Sequence, residues 1–288
     1  MTFSSILVAI PGLGPFLAFL VGACVGSFLN VCIARWPLEQ SIVRPRSRCP
    51  KCGHQLAWYE NVPLVSWLVL RARCRCCDES ISPVYPAVEL TVALGWLASV
   101  AAFGPTFTAV RVAIFGTVLL GVAVTDLQTY LIPDGFTLFG LGWTLATAIV
   151  AFFLGDVSPF AGPYDALIGA CAGAGMIAIV GWLGEVALKR EAMGLGDVTL
   201  MAFIGGALGP QRAIMTVFAA SALGAVAFLG VVYPVSWMRR LHGRDQTELA
   251  LGGAPFQAPL VPFGVFLAPA ALLTLLWGDA LLGWLVRS

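Results

Sequence analysis

Charge is what this sequence has least of. Lys, Arg, Asp and Glu make up 11% of its 288 residues, whereas a soluble globular domain carries roughly 25%. So few charges cannot give a water-facing surface of ordinary polarity, and lipid must cover much of the chain. Neither sign dominates: the net charge is +1, which gives no basic or acidic bias toward nucleic acid. There is no collagen-like, repeated or low-complexity segment. No basic segment precedes the first apolar stretch, from about Ile6 to Ile33, and the first positive charge, Arg35, follows it. That pattern argues against a cleaved signal peptide and for a retained first helix.

Hydrophobic residues are abundant, at 59%, and they are grouped in runs near the 20 or so residues that cross a bilayer. The runs are roughly 11–34, 87–103, 107–125, 135–154, 163–188, 197–208, 213–237 and 260–286, of which 87–103 and 197–208 are short. Gly104-Pro105, Pro133, Gly155, Pro163 and Gly209-Pro210 mark loops between them. The expected fold is an all-α polytopic membrane protein of about eight transmembrane helices. It divides into a first helix (1–34), a soluble-looking insert (35–86) and a membrane core (87–288). One side would carry Arg35, Arg44, Arg46, Arg48, Lys51, Arg71, Arg73, Arg75, Lys189, Arg190, Arg239, Arg240 and Arg244, and the other only Arg111, Arg212 and Arg287. The crowded side is expected to be cytoplasmic. Both chain ends would then lie outside.

The insert contains Cys49-Pro-Lys-Cys52 and, 21 residues on, Cys74-Arg-Cys-Cys77. Two CxxC knuckles at this separation match a four-thiolate zinc site of Cys49, Cys52, Cys74 and Cys77. Each knuckle is a tight turn aiming two sulfurs at one point, and Gly53 suits a positive φ there. Cytosolic thiols stay reduced, which favours metal over a disulfide. Bare thiols or a disulfide are the plainer alternatives, and Cys76 competes with Cys77 as fourth ligand at a less suitable spacing. A closed site of four sulfurs would be structural, with no open position for water. His54 is either a neighbour of the metal site or a surface residue. Cys24, Cys32 and Cys171 lie in apolar runs and read as small core residues.

Acidic residues near spans are costly, and are usually functional or paired. Asp126 closes one apolar run and opens Asp126-Leu-Gln-Thr-Tyr-Leu-Ile-Pro133-Asp134; Asp197 ends Gly194-Leu-Gly-Asp197; Glu89 lies near the start of the second span. Singly, these read as a solvated helix end, an N-cap and an interfacial acid. Together, Asp126 and Asp197 fall at the same end of separate spans, where packing can bring them close. Two close carboxylates share one proton near neutrality, so one can act as base on water and the other as acid on a carbonyl oxygen. Gly194 and Gly196 would let a substrate backbone approach. By helix dipole alone, Asp126 would hold the proton and Asp197 the charge.

With these motifs in place the sequence resembles the prepilin peptidase family, the type IV leader peptidases. Gly26-Ser27-Phe28-Leu29-Asn30-Val31 is similar to the family's GSFLNV segment. Trp58–Trp67 and Ile81–Glu89 are similar to the segments around its CxxC pairs. Asp126 with Pro133-Asp134 resembles its first aspartate motif, Asp197 its GxGD motif, and Val261-Pro262-Phe263-Gly264 its PFG segment. The resemblance implies an enzyme of the bacterial inner membrane that cleaves the leader of type IV prepilins or pseudopilins at the cytoplasmic face. It also implies methylation of the new N-terminus with S-adenosylmethionine, an activity associated with the knuckle domain. It makes Asp126 and Asp197 the catalytic pair and leaves Asp134 without a catalytic role. Thr199 stands where the family usually has Lys, so Asp197 gains no charge partner from that position. No glycine-rich nucleotide loop is visible to hold S-adenosylmethionine. The other readings are a membrane peptidase of this type without methylation, a transporter with a regulatory zinc domain, and a zinc-bearing scaffold. Transporters favour midplane sites and internal repeats, and a scaffold leaves the paired aspartates unexplained.

Overall fold

The computed structural model describes residues 12–156, 158–189, 193–232, 234 and 262–287. Hydrophobic runs bounded by glycine and proline fold here as helices, because a backbone in lipid must satisfy its own N–H and C=O groups. In chain order they are α1 (Leu13–Arg35), a short α2 (Val65–Val69), α3 (Val84–Phe103), α4 (Phe107–Thr129), α5 (Asp134–Leu154), α6 (Pro163–Leu188), α7 (Leu195–Leu208), α8 (Pro210–Ala227) and α9 (Gly264–Arg287). Among the described residues there is no strand, only the isolated bridges Arg48–Gln55 and Arg73–Ser80 in the insert.

Among the described residues seven helices are long and apolar enough to cross a membrane, and α7 is a shorter apolar helix beside them. The fold is therefore the expected polytopic all-α bundle with an insert between its first two spans. At 1.5 Å per residue, the 14 residues of α7 reach only about 21 Å, less than the roughly 30 Å of a hydrocarbon core.

Glycine sets the close crossings, as expected where packing rather than water exclusion drives helix association. A Cβ on Gly22 would meet the Ala93 Cα at 2.9 Å, and one on Gly26 the Glu89 Cα at 2.7 Å, so α1 and α3 approach backbone to backbone. The antiparallel α6–α7 pair is closer still. There Gly169 faces Gly205 and Gly173 faces Met201, so close that a Cβ on either glycine would overlap the facing backbone oxygen. Gly181 lies beside Met193 in the same register, which carries Asp197 level with the buried Ile177. Asp197 is thus recessed. Helix α6 continues 11 residues beyond Ile177, about 17 Å of helix.

Polar groups within the bundle pair across helices. Thr216 and Thr274 hydroxyls meet at 2.7 Å between α8 and α9, and Trp96 donates to Thr117 at 3.0 Å between α3 and α4. At the end away from the insert, Arg111 is buried, donates to Ser158 Oγ at 2.7 Å and stacks 4.3 Å over Phe160. Arg212 donates to the Pro159 carbonyl and pairs with Asp279. Two of the three cations expected on that side therefore tie down the 155–162 connection.

Cys32 is buried as expected, but Cys24 and Cys171 face outward. Lipid-facing and core-facing positions are equally apolar in a bundle of this kind, so an apolar run does not tell which side is the core. Arg190, Arg239, Arg240, Arg244 and Val261 lie outside the described residues.

Candidate active site and metal centre

The insert is built on two copies of one turn. Cys49 N–H donates to His54 O at 2.9 Å, and Gly53 N–H returns to Cys49 O at 3.0 Å. In the second copy Cys74 N–H donates to Glu79 O at 2.8 Å, and Asp78 N–H returns to Cys74 O at 3.0 Å. Gly53 and Asp78 occupy the same place in each turn, with φ of 72° and 59°. Glycine accepts that conformation freely and Asp tolerates it better than most residues.

The turns bring the sulfurs of Cys49, Cys52, Cys74 and Cys77 within 4.8 Å of one another. Cys49 to Cys77 is 3.8 Å and Cys52 to Cys74 is 4.0 Å. A tetrahedron with 2.3 Å zinc–sulfur bonds has edges of about 3.8 Å, so the four thiolates fit that ion. Backbone N–H groups of Cys52 and Lys51 stabilise the Cys49 thiolate and hold its pKa down at about 6. Cys76 is exposed and is not one of the four.

His54 has a partner that the sequence did not suggest: Nε2 lies 3.3 Å from Glu60 Oε2. Glu60 is buried, accepts from Ala57 N–H at 2.9 Å and has Arg75 at 3.7 Å. The Ala57 N–H holds the Glu60 carboxyl below the usual carboxylate range; burial opposes that, and His54 and Arg75 add to it. Glu89 likewise does more than reach the interface. It is buried in α3 and accepts from Leu64 N–H at 2.7 Å, fastening the insert to the bundle, while Asn30 in α1 donates to Tyr85 O in the first turn of α3 at 3.0 Å.

Asp126 lies in the last turn of α4 and is 4% exposed. Its Oδ2 accepts the Val265 N–H at 3.2 Å, from the first turn of α9. A Cβ on Gly264 would lie 2.8 Å from that oxygen. Asp197 is half-buried in the first turn of α7.

Between these segments sits Ile132, from the short α4–α5 link. A Cβ on Gly196 would meet the Ile132 Cβ at 2.8 Å, and one on Gly264 the Ile132 Cδ1 at 3.2 Å. The aspartate loop, the GxGD turn and the Phe263-Gly264 segment therefore converge on one side chain. This corrects one expectation: the space beside Gly196 is taken by Ile132, and only Gly194 is exposed with its Cβ direction largely free. The dipole argument changes as well. Asp126 ends its own helix but faces the N-terminus of another, and the two dipoles oppose each other there. Asp134 is exposed in the first turn of α5, as a helix-start acid should be. Thr199 Oγ bonds back to Gly196 O at 3.1 Å.

The fold and site are those of a polytopic membrane protein with two aspartates, one buried and one half-buried, on segments that meet at Ile132, and a cluster of four cysteine sulfurs. Residues 20–103 match the bacterial peptidase A24 N-terminal domain, and 113–229 match the type IV leader peptidase family. The chain is 46% identical to the prepilin leader peptidase/N-methyltransferase of Myxococcus xanthus, across 78% of this chain and 65% of that protein. It is 32% identical to the protein of the same name from Aeromonas salmonicida, across 94% of each. With the one from Pseudomonas aeruginosa it shares 35% identity across 90% of this chain and 89% of that protein. No solved structure matches the chain. The chain belongs to the type IV leader peptidase family.

Proposed function

We propose that this chain is a prepilin leader peptidase and N-methyltransferase, in which Asp126 and Asp197 carry the peptidase chemistry. The observation behind the residue assignment is the convergence of the two aspartate motifs on Ile132, with the Asp126 carboxylate fixed by Val265 N–H. Relatives spanning most of the chain bear that name.

The two carboxyls share one proton. The ionised one takes a proton from water as the water oxygen attacks the scissile carbonyl carbon, and the protonated one gives its proton to the carbonyl oxygen. The resulting gem-diol returns a proton to one carboxylate, the other carboxyl protonates the amide nitrogen, and the C–N bond breaks. A pair recessed into the bundle meets little water, so its electrostatics are strong. The exposed Gly194 leaves the cleaved backbone a path to Asp197.

The substrates are type IV prepilins or pseudopilins, cleaved at the cytoplasmic face of the inner membrane. The Lys and Arg asymmetry supports that orientation. Residues 1–34 form the first span, 35–86 a cytoplasmic domain and 87–288 the peptidase core. Zinc is the metal of the four cysteines, and its role is to hold the two knuckles together. S-adenosylmethionine is the methyl donor for the new amine.

The test is to incubate purified protein with a prepilin and S-adenosylmethionine and weigh the products. A peptide cut before the pilin's hydrophobic helix, 14 Da heavier than its unmethylated form by the mass of one CH2, is expected. An intact prepilin would refute the peptidase assignment, and a cut but unmethylated product the methyltransferase one.

A further inference from the structure

Where α1 leaves the hydrocarbon the knuckle domain folds back over it, and between them lies a groove of about 530 Å3. Its lining runs from Val31, one turn inside α1, past Arg35 in the last turn, to Val43, Arg46, Trp58 and Asn61 in the domain. One end is therefore apolar and at acyl depth. The other is polar and lies just beyond a span of 23 residues, where headgroups sit.

The charge here is unbalanced. Arg35 donates to the carbonyls of Ser41 and Pro45 at 2.9 and 2.7 Å, which fixes its guanidinium without neutralising it. Arg46 is exposed, with no hydrogen bond or ion pair to any described residue. No carboxylate lines the groove. The whole segment 35–86 has eight Lys and Arg against four Asp and Glu. Trp58 and Val43 are 83% and 77% exposed on the same groove. For a domain standing in water that is costly apolar surface; at a lipid interface an exposed indole is an anchor.

We propose that this groove binds the headgroup of an anionic phospholipid. Its phosphate lies between Arg35 and Arg46, its acyl chains pass down beside Val31, and Trp58 sits at headgroup level. Basic pockets at the cytoplasmic ends of spans take such headgroups. S-adenosylmethionine is a poor occupant, because its sulfonium would face two arginines and no carboxylate. The inference rests on the membrane placement of α1 and not on the peptidase chemistry, so it stands or falls separately from the proposed activity. Its consequence is mechanical: one lipid would hold the knuckle domain over the end of α1, adding to the Glu89 fastening.

Native mass spectrometry of the full chain, released from micelles doped with equal phosphatidylglycerol and phosphatidylcholine, tests this. Wild type should retain one phosphatidylglycerol in clear preference to phosphatidylcholine, and excess inorganic phosphate or S-adenosylmethionine should not displace it. Arg46→Gln removes an exposed, unpartnered side chain and should not disturb the fold. It should cut the preference about fivefold, the effect of one cation near an anionic surface. Arg71→Gln, an exposed cation of the same domain away from the groove, should leave the preference unchanged. Equal retention of the two lipids would overturn the proposal. So would an Arg46→Gln protein that keeps the wild-type preference, or an equal loss in Arg71→Gln. Displacement by phosphate would make it a free-anion site, and displacement by S-adenosylmethionine a methyl-donor site; either would contradict a lipid.

Discussion

Gly264 leaves the Asp126 carboxylate room to accept the Val265 N–H: a Cβ there would stand 2.8 Å from Oδ2. The neighbour is a buried carboxylate and not the free end of a flexible chain, so an added methyl must displace the carboxyl or move α9. Misplacing a reacting group by about 1 Å can cost roughly a hundredfold in rate. Gly264→Ala should therefore lower kcat for prepilin cleavage by about that factor, while KM changes little. Steady-state kinetics on a fluorogenic prepilin peptide would measure it. Wild-type kcat in Gly264→Ala would mean that this contact does not position Asp126.

The hydrophobic helices were legible in the sequence, and most of their described ends fell within a few residues: the run 197–208 is α7 at Leu195–Leu208, and 87–103 is α3 at Val84–Phe103, whereas in the run 213–237 α8 stops at Ala227. Cysteine spacing alone singled out the four sulfurs that come together. The inner faces of the helices were not legible. Lipid accepts apolar residues as readily as the core does, so no amphipathic stripe betrays the buried side, and Cys24 and Cys171 were misplaced for that reason. Contacts between distant segments were hidden too. Nothing local in Ile132 announces that it separates Gly196 from Gly264, and Glu89 gives no sign of its bond to Leu64 N–H, 25 residues away.

The knuckle pair makes a direct prediction about metal. Protein purified without chelator should carry about one zinc per chain, as a closed four-thiolate site does. Cys52→Ser or Cys74→Ser should lose that zinc and open 35–86 to protease, because the site supplies much of the domain's folding energy. Cys76→Ser should keep it, since that sulfur lies outside the cluster. Unchanged zinc in Cys52→Ser, by elemental analysis, would contradict the assignment.

Glu60 predicts a pH dependence with a definite sign. Its folded pKa is depressed, first by the Ala57 N–H, below the roughly 4.3 of an unperturbed Glu. A depressed carboxyl stabilises the folded domain fully above the unfolded value, and that contribution disappears as pH falls through the folded one. Glu60→Gln should therefore loosen 35–86 relative to wild type at pH 6–7, with the gap closing below about pH 4. Hydrogen exchange across 35–86 at several pH values would read this. A gap that stays constant, or widens in acid, would contradict it.

The central claim is that Asp126 and Asp197 act as one carboxylate pair in cleavage and take no part in methyl transfer. An amide neither takes nor gives the proton, so Asp126→Asn and Asp197→Asn should each abolish cleavage, and Asp134→Asn should leave most of it. Methyl transfer is attack by an amine on a sulfonium methyl and needs no such pair. The most direct measurement compares Asp197→Asn with wild type, in one detergent, on full prepilin and on a synthetic pre-cleaved pilin N-terminus with S-adenosylmethionine. The account predicts no cleavage of the first and wild-type methylation of the second. Cleavage of the prepilin by Asp197→Asn at the wild-type rate would contradict it.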